Sequence, residues 1–238
     1  YWRDWSSDVC SSDLEAVVRD RRSFTARGAG IRGFSLFGRD TEFMLDSDMN
    51  LRTAGVLDFV KRYEGAPIFV FGFTFVVWEH IVNTIREQRI DFSMPHGILL
   101  HGGGWKKLST LNISNQEFKQ AIKDHLGIET VINYYGMVEQ TGSIFLECER
   151  GYLHSSSYSD IIVRDPISLE PNDDGLPGIV QLISVLPQSY PGHSILSEDV
   201  GVVHGVDDCE CGRMGKYFSI LGRLKDAEIR GCSDTYAP

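Results

Sequence analysis

The chain has 238 residues, 42% of them hydrophobic and 24% charged, a profile that excludes disordered and fibrous classes and leaves room for a real core. Its formal charge is -10, and it carries no long basic run, so nucleic acid is not an expected partner. The most apolar stretch, residues 66–78, is too short for a membrane span and is followed by Glu79, His80 and Arg86. The cysteines Cys10, Cys148, Cys209, Cys211 and Cys232 are odd in number and irregularly spaced. With no basic start and apolar centre of a signal peptide, they predict a reduced, cytoplasmic compartment.

Residues 1–14 show no hydrophobic period and no cap pattern, and residues 5–14 resemble one translated frame of a common short-read sequencing adapter. A disordered tail is the alternative, and on either view Cys10 carries no function. On the adapter reading the open reading frame was cut near Glu15, and protein upstream of it is missing.

Over residues 51–63 the apolar side chains Leu51, Val56, Leu57, Phe59 and Val60 recur at roughly helical spacing, and Gly65, Ala66 and Pro67 end the helix. A strand follows at 68–71, and then a helix over 74–88 with Phe75, Trp78, Ile81, Val82 and Ile85 on one face. The four phenylalanines of residues 68–78 suit a plain core or the wall of an acyl-chain tunnel, the core being the commoner use. A strand at 97–100 runs into the glycine loop His101, Gly102, Gly103, Gly104. A helix capped by Asn or Ser covers 115–126, and a strand rich in β-branched and aromatic residues covers 130–134.

This alternation predicts an α/β fold, a mostly parallel sheet with flanking helices, whose ligand sites lie at the carboxyl ends of the strands. From about Gly151 the pattern changes to short strands at 160–163, 178–185, 201–204 and 216–221, separated by turn-rich segments. The expected division is an α/β part over 15–150 and a β-rich, partly antiparallel subdomain over 151–238, with a soft boundary near 150–157.

Four segments carry candidate chemistry. The loop of Gly102, Gly103 and Gly104 lacks the Gly before its Lys and the Ser or Thr after it that a P-loop needs. It can admit a flat ligand such as adenine close to the backbone, or it is a strand-to-helix turn. Residues 135–142, YGMVEQTG, place Tyr135, Gly136 and Glu139 at a strand end. Tyr135 can stack on a purine, and Glu139 can help hold Mg2+ between phosphate oxygens; a helix start with Glu139 in its first turn is the alternative. In residues 197–203 Asp199 stands before a strand, where a carboxylate can accept ribose hydroxyls. In GRLKD, residues 222–226, the guanidinium of Arg223 suits ribose or phosphate oxygens. Each segment alone is also a common surface turn.

The order HGGGWKK, YGMVEQTG, SEDVG, ILGRLKDAEIRG resembles the adenylate-forming superfamily of acyl-CoA synthetases and luciferase-like ligases. Its matching segments bind adenine, magnesium and ribose and form the interdomain hinge. Within it the sequence is most similar to the acyl-protein synthetase (LuxE) family, over most of residues 50–236. The resemblance implies ATP and Mg2+ as cofactors, activation of a long-chain fatty acid as an acyl-adenylate, and delivery of the acyl group to an acyl reductase partner. It implies nucleotide binding by Gly102, Gly103, Gly104, Tyr135, Gly136, Asp199 and Arg223, and magnesium binding by Glu139. Arg230, Gly231 and Cys232 match the family's C-terminal Gly-Cys, whose cysteine accepts the acyl group. A thiolate is chemically suited to attack an acyl-adenylate, and Arg230 and Lys225 can lower the pKa of Cys232; a buried structural cysteine is the alternative.

The pair Cys209 and Cys211 supplies two zinc ligands of four, with Cys148, His193 and His204 as further candidates, and a turn before the next strand is the preferred reading. The superfamily's Ser/Thr/Gly-rich phosphate loop is expected upstream of residue 15, since residues 27–30 lack its hydroxyls. No long lid domain is expected after Asp226, which suits the acyl-protein branch. The rival readings are an aryl- or acyl-CoA ligase of the phenylacetate type and an inactive nucleotide-binding or partner-docking fragment.

Overall fold

The computed structural model describes residues 7–11, 26–103, 113–140 and 142–224. Its contacts divide the chain into two compact units, which meet between Ile132 and Asn133.

The first unit holds strands β1 (Ser7–Ser11), β2 (Gly38–Phe43), β3 (Ile68–Phe73) and β4 (Gly97–Gly102), and the start of β5 (Thr130–Tyr135). β1 pairs in parallel with both β2 and β3, and β3 pairs in parallel with β4 in the register Ile68↔Gly97 to Phe73↔Gly102. β1 lies within the stretch set aside by its adapter-like sequence, yet its backbone takes part in the sheet, since ladder pairing is made by main-chain groups whatever side chains they carry. The helices are α1 (Ala26–Phe34), α2 (Thr53–Arg62), α3 and α4 (Asn115–Leu126).

α3 runs in three contiguous parts, Thr74–Val76, Val77–Val82 and Asn83–Gln88, of which the second is π-helical. The wider π turn shifts the apolar face along the helix. Val76, Val77, Ile81, Val82 and Ile85 are therefore its buried apolar residues, while Phe75 and Trp78 are only half-buried. In α2 the same spacing buries Val56 and Phe59 and leaves Leu57 exposed. α4 begins with a capping box, in which the Ser114 hydroxyl accepts from the Glu117 N–H at 3.2 Å and the Ser114 N–H donates to the Glu117 carboxylate at 2.7 Å. These faces meet over β3 and β4 in one core that contains Phe59, Val70, Ile81, Leu99, Phe118 and Ile122. Phe71 is also fully buried, with its ring stacked on Phe34 at 4.3 Å between centroids. Of the four phenylalanines in the run after Ala66, Phe71 is packed as core while Phe69, Phe73 and Phe75 are half-buried.

The second unit is built from β6 (Phe145–Glu147), β7 (Leu153–His154), β8 (Ser159–Arg164), β9 (Gly178–Ser184), β10 (Ser194–Val206) and β11 (Lys216–Arg223), together with the end of β5. Its described pairings are antiparallel: β5 with β6, β6 with β7, β7 with β11, β11 with β10, β10 with β9, and β9 with β8. Strand alternation buries Ser159, Ile161 and Val163 on one face of β8. With Phe145, Val180, Leu182, Val203 and Phe218 the two apolar members of that face form the second core. β10 is much longer than the strand expected at 201–204, because its first residues pair with β9 and its last with β11.

Candidate functional site

The second unit brings three of the expected residues together. Tyr135 ends β5, Asp199 lies in β10, and Arg223 ends β11 directly opposite Asp199 in the ladder. The Tyr135 hydroxyl donates to Asp199 Oδ2 at 2.7 Å. Arg223 Nε lies 3.6 Å from Asp199 Oδ1, and its Nη2 is ion-paired with Glu198. Asp199 is held from behind: its N–H donates to Ser197 Oγ, and the buried Ser197 hydroxyl donates to the Val180 carbonyl on β9 at 2.8 Å. The Tyr135 ring rests near Phe145 and Phe218. Burial, followed by the Asp199 charge, pushes the Tyr135 phenol above its ordinary value, so the hydroxyl stays a donor at neutral pH.

Gly136 follows at a close approach, since a Cβ there would stand 2.9 Å from the Ser143 carbonyl oxygen. Glu139 is exposed on the 3-10 turn Val138–Gln140. Its neighbour Gln140, to which the sequence assigned no role, is fully buried, and its amide donates to the carbonyls of Leu182 at 3.2 Å and Gly192 at 2.9 Å. The turn that presents Glu139 is thereby tied to β9 and to the loop before β10. A polar residue inside YGMVEQTG was the available signal, but only burial separates an anchoring amide from a solvated one.

The glycine loop belongs to the first unit. Gly102 closes β4, and Gly103 has φ of 84°, a conformation that favours glycine. Behind the loop the buried Thr74 hydroxyl donates to the Gly102 carbonyl at 3.0 Å and lies 2.9 Å from His101 Nδ1. Because the Thr74 proton is used on Gly102, the assigned arrangement makes His101 Nδ1–H the donor to Thr74 and leaves Nε2 an acceptor. Nε2 is buried with no hydrogen-bond partner among the described residues, and the ring faces Phe118 at 4.5 Å between centroids. Burial, with a smaller contribution from the charge of Lys119, lowers the His101 pKa to about 3. Gly104, Lys225, Asp226, Arg230 and Cys232 lie outside the described residues.

The Cys-x-Cys segment forms the turn expected of it, with Glu210 and Cys211 in the turn and the Gly212 N–H donating to the Cys209 carbonyl. Cys209 and Cys211 converge with Cys148 and with His154, a histidine the spacing did not single out. β7 pairs with β11 in the register Tyr217↔His154 and carries His154 to this place, a long-range pairing that sequence spacing does not express.

In chemical terms the second-unit site offers a phenol, a carboxylate and a guanidinium at adjoining strand ends, a set able to hold a polyhydroxylated, anionic ligand. Solved structures of adenylate-forming type share the fold. An open conformation of 2-hydroxyisobutyryl-CoA ligase in complex with 2-HIB-AMP and CoA superposes with a TM-score of 0.66 at 17% identity, over 93% of this chain and 46% of that one. ATP-bound MatB from Rhodopseudomonas palustris superposes with a TM-score of 0.56 at 17% identity, over 94% and 41%. The protein is therefore an α/β chain with the fold of part of an adenylate-forming ligase. It belongs to the LuxE acyl-protein synthetase family, which it matches over residues 8–237. The long-chain-fatty-acid–luciferin-component ligase of Vibrio harveyi is 24% identical over 156 residues, 63% of this chain and 39% of that protein. The chain thus spans well under two thirds of the length of that relative and of these solved proteins. No helix among the described residues is long and apolar enough to cross a membrane.

Proposed function

We propose that this chain is the nucleotide-holding part of an ATP-dependent acyl-protein synthetase that activates a long-chain fatty acid and passes the acyl group to Cys232. Membership of the LuxE family over residues 8–237 supports the reaction class. The single geometric observation that carries the reading is the Tyr135, Asp199 and Arg223 constellation. In it Asp199 accepts the ribose hydroxyls of ATP, Arg223 neutralises the carboxylate and reaches ribose or phosphate oxygen, and the Tyr135 ring stacks on adenine.

The fatty acid carboxylate attacks the α-phosphorus of ATP, and pyrophosphate leaves. The Cys232 thiolate then attacks the acyl carbonyl, forming a thioester as the C–O bond breaks and AMP leaves. Glu139, an exposed carboxylate on its turn, fits the sparse protein ligation that magnesium prefers. The ion, when bound, neutralises charge on the phosphates. Within the second unit, Gly136 lets the nucleotide approach the backbone closely. An acyl reductase is the proposed receiver, and the cytoplasm the proposed compartment.

Radiolabelled fatty acid and ATP added to a protein containing this chain together with any preceding sequence should label one residue, and Cys232→Ser should remove the label. Undiminished labelling of the Cys232→Ser protein at another residue sinks the acceptor assignment. A coenzyme A thioester formed without protein labelling supports the aryl- or acyl-CoA ligase reading instead.

A further inference from the structure

Within the second unit, the turn between β6 and β7 and the turn between β10 and β11 lie side by side, because β7 and β11 pair at His154 and Tyr217. Cys148 comes from the first turn, His154 from β7 just after it, and Cys209 and Cys211 from the second turn. Their three sulfurs and one imidazole nitrogen all lie within 4.8 Å of one another. Cys211 Sγ is 3.4 Å from His154 Nε2. Roughly 3.5 Å is the sulfur–nitrogen separation in a tetrahedron with zinc bonds of about 2.3 Å to sulfur and about 2.0 Å to nitrogen.

Hydrogen bonding within the protein is a weak account of the gathering, because the bonds among these side chains are sulfur contacts such as that of Cys211 Sγ with His154 Nε2. Cys148, His154 and Cys209 are buried, thiols are weak donors and acceptors, and the buried His154 Nδ1 has no partner among the described residues. The backbone instead wraps both turns around a common centre. Gly151 N–H donates to the Cys148 carbonyl and Gly212 N–H to the Cys209 carbonyl, each at 2.9 Å, and Arg213 N–H donates to Cys211 Sγ at 3.4 Å. Gly151 and Gly212 have φ of 83° and 79°, which lets each turn fold back sharply after its cysteine. Two ion pairs cross between the same turns, Arg213 with Glu149 at 3.7 Å and Arg150 with Glu210 at 3.5 Å. They keep guanidinium charge beside what would be a thiolate-rich centre.

We propose that Cys148, His154, Cys209 and Cys211 form a structural Cys3His zinc site. Thiolate and imidazole ligands select zinc over magnesium or calcium, and four protein ligands close the tetrahedron, leaving no position for water or substrate. On binding, three thiol protons pass to solvent as three Zn–S bonds and one Zn–N bond form. The metal clips the closed end of the β10–β11 hairpin, near Val206 and Lys216, while the open end of the same hairpin carries Asp199 and Arg223. Zinc therefore holds the register that sets those two side chains opposite each other.

The test is metal analysis of the whole chain, purified under reducing conditions. About one zinc per chain is expected. After chelation, added cobalt should produce a thiolate-to-cobalt charge-transfer band and the visible bands of a tetrahedral ion. Cys148→Ser and Cys209→Ser should each weaken cobalt binding by more than about tenfold, His154→Cys should keep the metal with a changed visible spectrum, and Cys10→Ser should change nothing. Because a variant that loses its metal can also misfold, alkylation of the unaltered chain gives a second reading: zinc should protect Cys148, Cys209 and Cys211, and chelation should expose them. A folded unaltered chain that takes up neither zinc nor cobalt overturns the proposal. So does a cobalt band that persists undiminished in both serine variants.

Discussion

The two units bury apolar surface in opposite ways. In the first, helices cover parallel strands, and nearly everything that the sheet and helices present inward is hydrocarbon, from Val70 and Leu99 on the strands to Phe118 and Ile122 on α4. In the second, short antiparallel strands alternate between a small core and a polar face, and that alternation aims Tyr135, Asp199 and Arg223 at one another. Parallel strands covered by helices can be apolar on both faces, whereas antiparallel strands keep one face for polar groups. The difference gives one unit a larger apolar core and the other the polar side chains of the proposed site.

The sharpest way to break that contrast is at Phe118, which is fully buried against His101 and near Trp78. Phe118→Ala should destabilise the chain by about 3–5 kcal/mol, read from urea denaturation. A loss under ~1 kcal/mol would show that the first core is looser than its burial implies. Asp199→Asn reverses the pattern. It keeps an acceptor for the Tyr135 hydroxyl but removes the charge, so AMP affinity should fall by about tenfold or more, as expected for a charged hydrogen bond, while the urea midpoint moves little. Unchanged affinity by calorimetry would remove Asp199 from the proposed nucleotide site.

His101 gives a pH signature to the first unit. Its pKa falls from 6.5 to about 3 because burial disfavours the imidazolium, with a smaller push from Lys119. Between those values the unfolded chain binds a proton that the folded chain refuses. The His101 contribution is therefore fully present above pH 6.5 and is lost as pH drops toward 3, by up to about 1.4 kcal/mol per pH unit. Denaturation curves at a series of pH values should show this slope, and His101→Gln should flatten it; an identical slope in the variant refutes the assignment. The smallest effect expected is at the capping box, where Ser114→Ala should cost about 1 kcal/mol, and Ser114→Asp should recover most of it.

The elements read from periodicity were those whose signal is local. The helix at 115–126 announces itself through Ser114, Glu117 and a spaced apolar face, and the structure places α4 at Asn115–Leu126. The strands at 68–71, 97–100 and 130–134 were legible from β-branched and aromatic runs, and each proved slightly longer. β2, β6 and β7 were missed because their residues, such as Asp40 and Glu42 in β2, carry no alternating apolar pattern and are strands only by virtue of their neighbours. At the site, Tyr135, Asp199 and Arg223 were legible as motif residues. Their convergence was not, because it depends on the antiparallel register of β10 and β11.

By itself the sequence determined the α/β class, the order of the candidate site segments and the resemblance that proved to be LuxE membership. These follow from short-range spacing and residue chemistry, which the chain carries whether folded or not. Only the tertiary structure decided that Gln140 is an anchor, that His101 is a buried neutral imidazole, and that His154 joins Cys148, Cys209 and Cys211. Burial and strand pairing arise between residues tens of positions apart, and no local pattern encodes which distant strand a histidine will face.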